Sequence, residues 1–77
     1  MEPIFELEQK VKVVYDTLGD YFSGSEGIIK DIFYKEQEDE IVYGIIITKA
    51  GDGLITYKAD AIYYFLDNEL ALVEEGE

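Results

Sequence analysis

Apolar and polar residues alternate along much of this chain, in segments short enough to be β-strands. Residues 10–15 place Val11, Val13 and Tyr15 on one side and two lysines on the other. This is the period of two that a half-buried strand requires. Residues 27–35 are rich in β-branched and aromatic side chains, which predicts a second strand.

The most apolar run covers residues 41–49 and predicts the central strand of the sheet. Its β-branched content and the internal Gly44 favour a strand over a buried helix. The remaining elements follow from shorter apolar runs and from turn-forming residues between them. The fourth and fifth strands are predicted at residues 54–58 and 62–66, hairpin turns at 37–40 and 51–53, and one helical turn at 58–61. After the fifth strand, residues 67–68 form a predicted turn that leads into an apolar segment at 70–73.

A chain of 77 residues has room for one domain. We divide it into an N-terminal leader at residues 1–9, a β-barrel at residues 10–73 and an acidic tail at residues 74–77. Within the barrel, residues 16–25 contain two glycines and several polar turn formers and predict a long loop.

The predicted fold class is all-β, a small five-stranded SH3-like barrel preceded by a short leader. Short strands at close spacing favour a barrel, because closure protects the strand edges. The chain resembles SH3-like barrels of the KOW type and their small phage relatives between about residues 11 and 66. The residues that carry the resemblance are Val11, Val13, Gly24, Gly27, Ile29, Tyr43, Ile45, Ile47, Ala61 and Ile62.

Negative charge is the strongest compositional signal. The chain has 18 Asp and Glu against 6 Lys, with no Arg and no His, for a net charge of −12. Such a charge repels nucleic acid and anionic lipid and attracts basic partners. With an acidic N-terminus and no apolar run of membrane-spanning length, the sequence predicts a soluble, cytoplasmic protein.

The residue inventory argues against catalysis. Without His or Cys, the common nucleophile and base pairs are missing. Ser23 and Ser25 would need Lys30 or Lys58 as a base, and glycine-flanked serines are more often turn formers. The carboxylates lack the spacing of a calcium-binding loop. We therefore expect no enzymatic activity, no cofactor and no metal.

The aromatic side chains divide between core and surface. Phe33, Tyr43 and Phe65 lie in apolar runs and are expected in the core. Because Tyr63 and Tyr64 are adjacent in a predicted strand, one ring faces inward and the other outward as a candidate contact.

The charge favours a partner-binding role, in which carboxylates occupy a basic, nucleic-acid-binding surface of another protein. Side chains two apart on a strand are about 6.8 Å apart, roughly twice the spacing of phosphates along one DNA strand. Small acidic inhibitors of phages and mobile elements, of the anti-restriction and anti-CRISPR type, are similar in size and charge. The candidate contact residues are Asp16, Asp20, Tyr21, Phe22, Tyr34, Glu36, Glu38, Asp39, Glu40 and Asp52.

Three alternatives remain open at this point. In the first, the chain is a docking or scaffold module that binds a protein through an aromatic groove. In the second, its carboxylates serve solubility alone. In the third, the fold binds nucleic acid through a small patch at Lys10 and Lys12, against the overall charge. The sequence leaves the oligomeric state open.

Overall fold

The computed structural model describes residues 3–14, 22–51, 57–58 and 60–73. Within these residues the chain is all-β, as predicted, with five strands and a single turn of 3-10 helix. The strands are β1 (Lys10–Val13), β2 (Glu26–Lys35), β3 (Glu40–Lys49), β4 (Tyr63–Leu66) and β5 (Leu70–Leu72), and the 3-10 helix, Asp67–Glu69, joins the last two.

The five strands form one antiparallel sheet in the order β4-β3-β2-β1-β5. The last strand returns to pair with the first, so Val11 lies opposite Leu72 and Val13 opposite Leu70. The two ends of the sheet, β4 and β5, do not pair with each other. The sheet is therefore not closed, and a barrel describes it only approximately.

The core lies on one face of this sheet and follows the alternation of the sequence. Tyr43, Ile45 and Val11 are fully buried, as the period-two pattern of their strands predicts. No helix among the described residues is long and apolar enough to cross a membrane. The core residues are Phe5, Val11, Val13, Ile29, Ile41, Tyr43, Ile45, Ile47, Phe65 and Leu70.

The N-terminal segment packs on the sheet and supplies part of the core. Phe5 is 5% exposed, and its ring meets the edge of the Tyr43 ring at 5.1 Å. The backbone N–H of Ile4 donates to the Tyr43 hydroxyl at 2.9 Å. The N–H of Glu8 donates to the carbonyl of Ile29 at 2.8 Å. The segment is irregular, yet it is held at several points along β2 and β3.

A β-bulge in β2 changes which side chains face the core. Ile29 lies opposite Ile45, but the next pair is Asp31 with Gly44, so the register shifts between Ile29 and Asp31. An extra residue in one strand reverses the alternation beyond it. Phe33 is consequently 41% exposed on the opposite face, and the prediction that it belongs to the core is wrong.

Several sequence predictions lie wholly or partly outside the described residues. These are Tyr15, the loop segment 16–21, the strand segment 54–56, the turn residues 52–53 and the tail 74–77. Tyr57 and Lys58 are described and are not in a strand. The backbone N–H of Ala61 donates to the carbonyl of Lys58 at 3.2 Å, which closes a turn where one helical turn was predicted.

Candidate functional site

The β2–β3 hairpin carries most of the predicted carboxylates at its tip. The tip residues Glu36–Asp39 are all exposed, and they connect Lys35 to its strand partner Glu40. Asp39 has a φ of 52°, in the left-handed region where aspartate is enriched among non-glycine residues. The tight turn thus gathers Glu36, Glu38, Asp39 and Glu40 at one edge of the molecule.

Two side-chain contacts order this tip. The Tyr34 hydroxyl donates to Asp39 Oδ1 at 2.5 Å, and Lys35 Nζ lies 2.8 Å from Glu38 Oε2. The hydrogen bond to Asp39 raises the pKa of Tyr34, and the hydrogen bond to Glu38 raises the pKa of Lys35. At neutral pH both side chains therefore keep their protons. Tyr34 stays neutral, and Lys35 is the one cation among residues 34–40.

The 3-10 helix brings a further carboxylate to the same end of the sheet. A small pocket between the hairpin and the helix is lined by Asp39, Glu40, Ile41, Leu66, Asp67 and Asn68. Asp67 was predicted only as a turn residue, because its approach to the hairpin depends on β3 pairing with β4. We call residues 35–40 together with Asp67 the acidic end. It holds five carboxylates and one lysine, a net charge of −4.

Glu69 is acidic in the sequence but structural in the fold. It is only 5% exposed, and its Oε1 accepts a hydrogen bond at 2.8 Å from the backbone N–H of Leu66. This carboxylate satisfies a backbone donor at the start of the 3-10 helix. It is therefore unavailable to a partner and is excluded from the acidic end.

Replacement of Glu69 with alanine is expected to destabilise the protein by about 1–3 kcal/mol, because the Leu66 N–H is left without its acceptor. Glu69→Gln keeps a side-chain carbonyl at the same position, so we expect it to lose less stability than Glu69→Ala. Urea denaturation of both variants measures the difference. Equal losses of unfolding free energy in the two variants would show that Glu69 does not stabilise the protein through its hydrogen bond to Leu66.

The other predicted contact residues divide into two groups. Phe22 is half-buried, and its ring packs at 4.8 Å from Tyr63 and 5.5 Å from Phe65. A smaller fraction of Phe22 is therefore exposed than of Tyr34, which is 47% exposed. Asp16, Asp20, Tyr21 and Asp52 lie outside the described residues.

The sheet face opposite the core carries a second, smaller apolar cluster, which the sequence did not reveal. Two rows of directly opposed residues cross it, Phe33–Val42–Leu66 and Asp31–Gly44–Tyr64. The rings of Phe33 and Tyr64 meet edge to face at 5.6 Å. As predicted, Tyr63 packs against the core while Tyr64, 50% exposed, faces outward. We call Asp31, Phe33, Val42, Gly44, Ile62 and Tyr64 the outer-face cluster.

Gly44 forms the floor of the outer-face cluster. A Cβ atom at this position would lie 2.5 Å from Ile62 Cγ2, 2.8 Å from Tyr64 Cε1 and 3.2 Å from Asp31 Cβ. An aromatic ring, an aliphatic side chain and a carboxylate-bearing residue thus converge over one glycine. The missing side chain lets them lie directly against the strand.

Two of the five lysines outside the acidic end form ion pairs in the described part of the chain. Lys10 Nζ lies 3.6 Å from Glu26, and Lys30 Nζ lies 2.8 Å from Glu8. The contact with Glu26 reduces the positive patch that the sequence placed at Lys10 and Lys12. Among the described residues, no group of three or more His, Cys, Asp or Glu side chains is arranged to hold a metal ion.

Added sodium chloride is expected to raise the melting temperature near pH 7. A net charge of −12 opposes the compact state by self-repulsion, and salt screens that repulsion. A gain of about 1 kcal/mol corresponds to a rise of roughly 4–8 °C for a domain of this size. Thermal unfolding followed by circular dichroism measures it. A fall in melting temperature would mean that favourable ion pairs outweigh the repulsion.

Comparisons with protein-family models, with curated proteins and with solved structures find no significant match to this chain.

Proposed function

We propose that this chain is a small, acidic, non-enzymatic binding protein that occupies a basic, nucleic-acid-binding surface of another protein. In this it would act like the inhibitors of phages and mobile elements that imitate nucleic acid. The observation that carries the proposal is the convergence of five carboxylates and one lysine at the acidic end. The proposed site of action is the cytoplasm, where nucleic-acid enzymes work.

The geometry of the acidic end supports this role in two ways. The carboxylates of Glu36, Glu38 and Asp39 belong to exposed residues, so a partner reaches them without rearrangement of the core. The tight turn and its contacts from Tyr34 and Lys35 hold part of the tip in place. A preordered charged surface loses less conformational entropy on binding than a flexible one does.

A second candidate function is a docking module that binds a protein through aromatic side chains. The observation that favours it is the exposed Phe33–Tyr64 pair beside the acidic end. Such a module would bind with little dependence on salt, because apolar contacts are not screened by ions. Charge-driven binding weakens steeply as salt rises.

The proposal is tested by affinity capture from a bacterial lysate at low salt, with and without added duplex DNA. The hairpin variant carries Glu36→Gln, Glu38→Gln, Asp39→Asn and Glu40→Gln. The matched control carries Glu6→Gln, Glu74→Gln, Glu75→Gln and Glu77→Gln, which removes the same number of charges at other positions in the sequence.

We expect the wild type and the control to capture one nucleic-acid-binding protein, which added DNA displaces. We expect the hairpin variant not to capture this protein. Capture that DNA does not affect, or that the hairpin variant retains in full, would contradict the proposal. Retention at high salt of a partner unrelated to nucleic acid would instead support the docking module.

A further inference from the structure

We propose that the outer-face cluster binds an arginine side chain of the basic partner, with the guanidinium stacked on Tyr64 and paired with Asp31. This inference rests on the proposed function and names the chemistry by which the partner is recognised. It adds a specific contact to the general attraction that the acidic end provides.

Asp31 carries a charge that no described lysine neutralises through an ion pair. Its carboxylate belongs to a half-buried residue on the sheet face, and none of the ion pairs among the described residues includes it. Lys35 lies four residues along the same face, but its Nζ contacts Glu38 at the hairpin. A carboxylate that is partly withdrawn from water and lacks a cation gains more from an incoming charge than a fully solvated one does.

Two aromatic residues, Phe33 and Tyr64, lie beside Asp31 on the same face of the sheet. Asp31 and Tyr64 face each other across Gly44, and both lie against the point where a Gly44 side chain would begin. Phe33 lies two residues beyond Asp31 and holds the Tyr64 ring edge to face. Tyr64 nevertheless remains 50% exposed, so part of this residue is open to solvent on the face that Asp31 shares.

Arginine fits this arrangement better than lysine does. A guanidinium is planar, weakly hydrated and able to stack on an aromatic ring while it donates hydrogen bonds to a carboxylate. A lysine ammonium is strongly hydrated and provides only a compact charge. Phosphate is disfavoured by Asp31, and a second copy of this chain is disfavoured by mutual repulsion at −12 each.

The outer-face cluster also continues into the acidic end. Phe33 lines a groove together with Tyr34, Lys35 and the hairpin residues up to Glu38. On the same face, Lys35 and Glu40 form the row next to Phe33 and Val42. A basic segment with one arginine over Tyr64 therefore has further carboxylates within a few residues along its path.

The test is an NMR titration of the isotope-labelled full chain with an oligoarginine and an oligolysine peptide of equal length, at low salt. We expect the arginine peptide to bind about two- to fivefold more tightly. It should shift the amide signals of Asp31, Gly44 and Tyr64, whereas the lysine peptide should shift mainly those of the hairpin.

Asp31→Asn and Tyr64→Leu are each expected to remove the preference for arginine while the spectrum remains that of a folded protein. Two control variants are expected to keep the preference for arginine. Glu6→Gln removes one exposed charge from the N-terminal segment, and Tyr57→Leu removes an exposed ring that belongs to neither the acidic end nor the outer-face cluster.

Equal affinities for the two peptides, with shifts confined to the hairpin, would overturn the arginine site and leave the proposed function standing. Failure of both peptides to bind at low salt would overturn the proposed function itself. A preference for arginine that survives both Asp31→Asn and Tyr64→Leu would also overturn the assignment to this cluster.

Discussion

Replacement of Phe5 with alanine is expected to destabilise the protein by about 3–5 kcal/mol, the usual cost of removing a large aromatic ring from a core. The ring is 5% exposed and packs edge to face on Tyr43 at the centre of the core. A domain of this length has a total stability of roughly 4–12 kcal/mol. The variant would therefore lose a large share of its stability although it differs only in an irregular segment.

Equilibrium unfolding in urea measures this loss. The matched control is Leu7→Ala, which shortens a side chain of the same segment that is 57% exposed. We expect the control to stay within about 0.5 kcal/mol of the wild type. If Phe5→Ala were as stable as Leu7→Ala, the Phe5 ring would not contribute to the core as described.

Replacement of Gly27 with alanine is expected to cost about 3 kcal/mol, at the upper end of the range for overpacking. A Cβ at this position would run into the carbonyl oxygen of Ile46 on the adjacent strand, and it would lie 3.1 Å from the carbonyl carbon. The obstruction is backbone within a paired strand, so relief requires β2 and β3 to move apart.

The same substitution at Gly44 provides the comparison. There the two closest atoms, Ile62 Cγ2 and Tyr64 Cε1, belong to side chains rather than to backbone, and they can move by side-chain rotation. Gly44→Ala is therefore expected to cost about 1 kcal/mol and to displace Tyr64 without disturbing the pairing of the strands. Urea denaturation measures the stability lost in each of the two variants. A larger loss for Gly44→Ala than for Gly27→Ala would contradict the packing described for the two glycines.

The strands were predictable because alternation and β-branched content act locally. The sequence placed β2 and β3 within one residue of their observed starts, and it identified Tyr43 and Phe65 as core. The bulge at residues 29–31 was not predictable in this way, because it depends on how β2 pairs with β3. That one extra residue turned Phe33 outward and created the outer-face cluster.

In the candidate site too, the residues that depend on local sequence were predicted, and those that depend on strand pairing were not. The hairpin carboxylates Glu36, Glu38, Asp39 and Glu40 were identified from a polar turn between two apolar runs. Asp67 was missed as a contributor because it joins them only through the pairing of β3 with β4. Glu69 is equally acidic in sequence, and only its burial in the fold distinguishes a structural carboxylate from an exposed one.

The most direct test of the account is the association rate with the captured partner, measured by stopped flow over a range of salt concentrations. Wild type and hairpin variant are compared with the control that carries its substitutions at residues 6, 74, 75 and 77. If the acidic end guides binding to a basic surface, the rate falls steeply with salt for the wild type and the control. The hairpin variant should associate slowly already at low salt. A wild-type rate and affinity that are the same at low and high salt would contradict nucleic-acid mimicry.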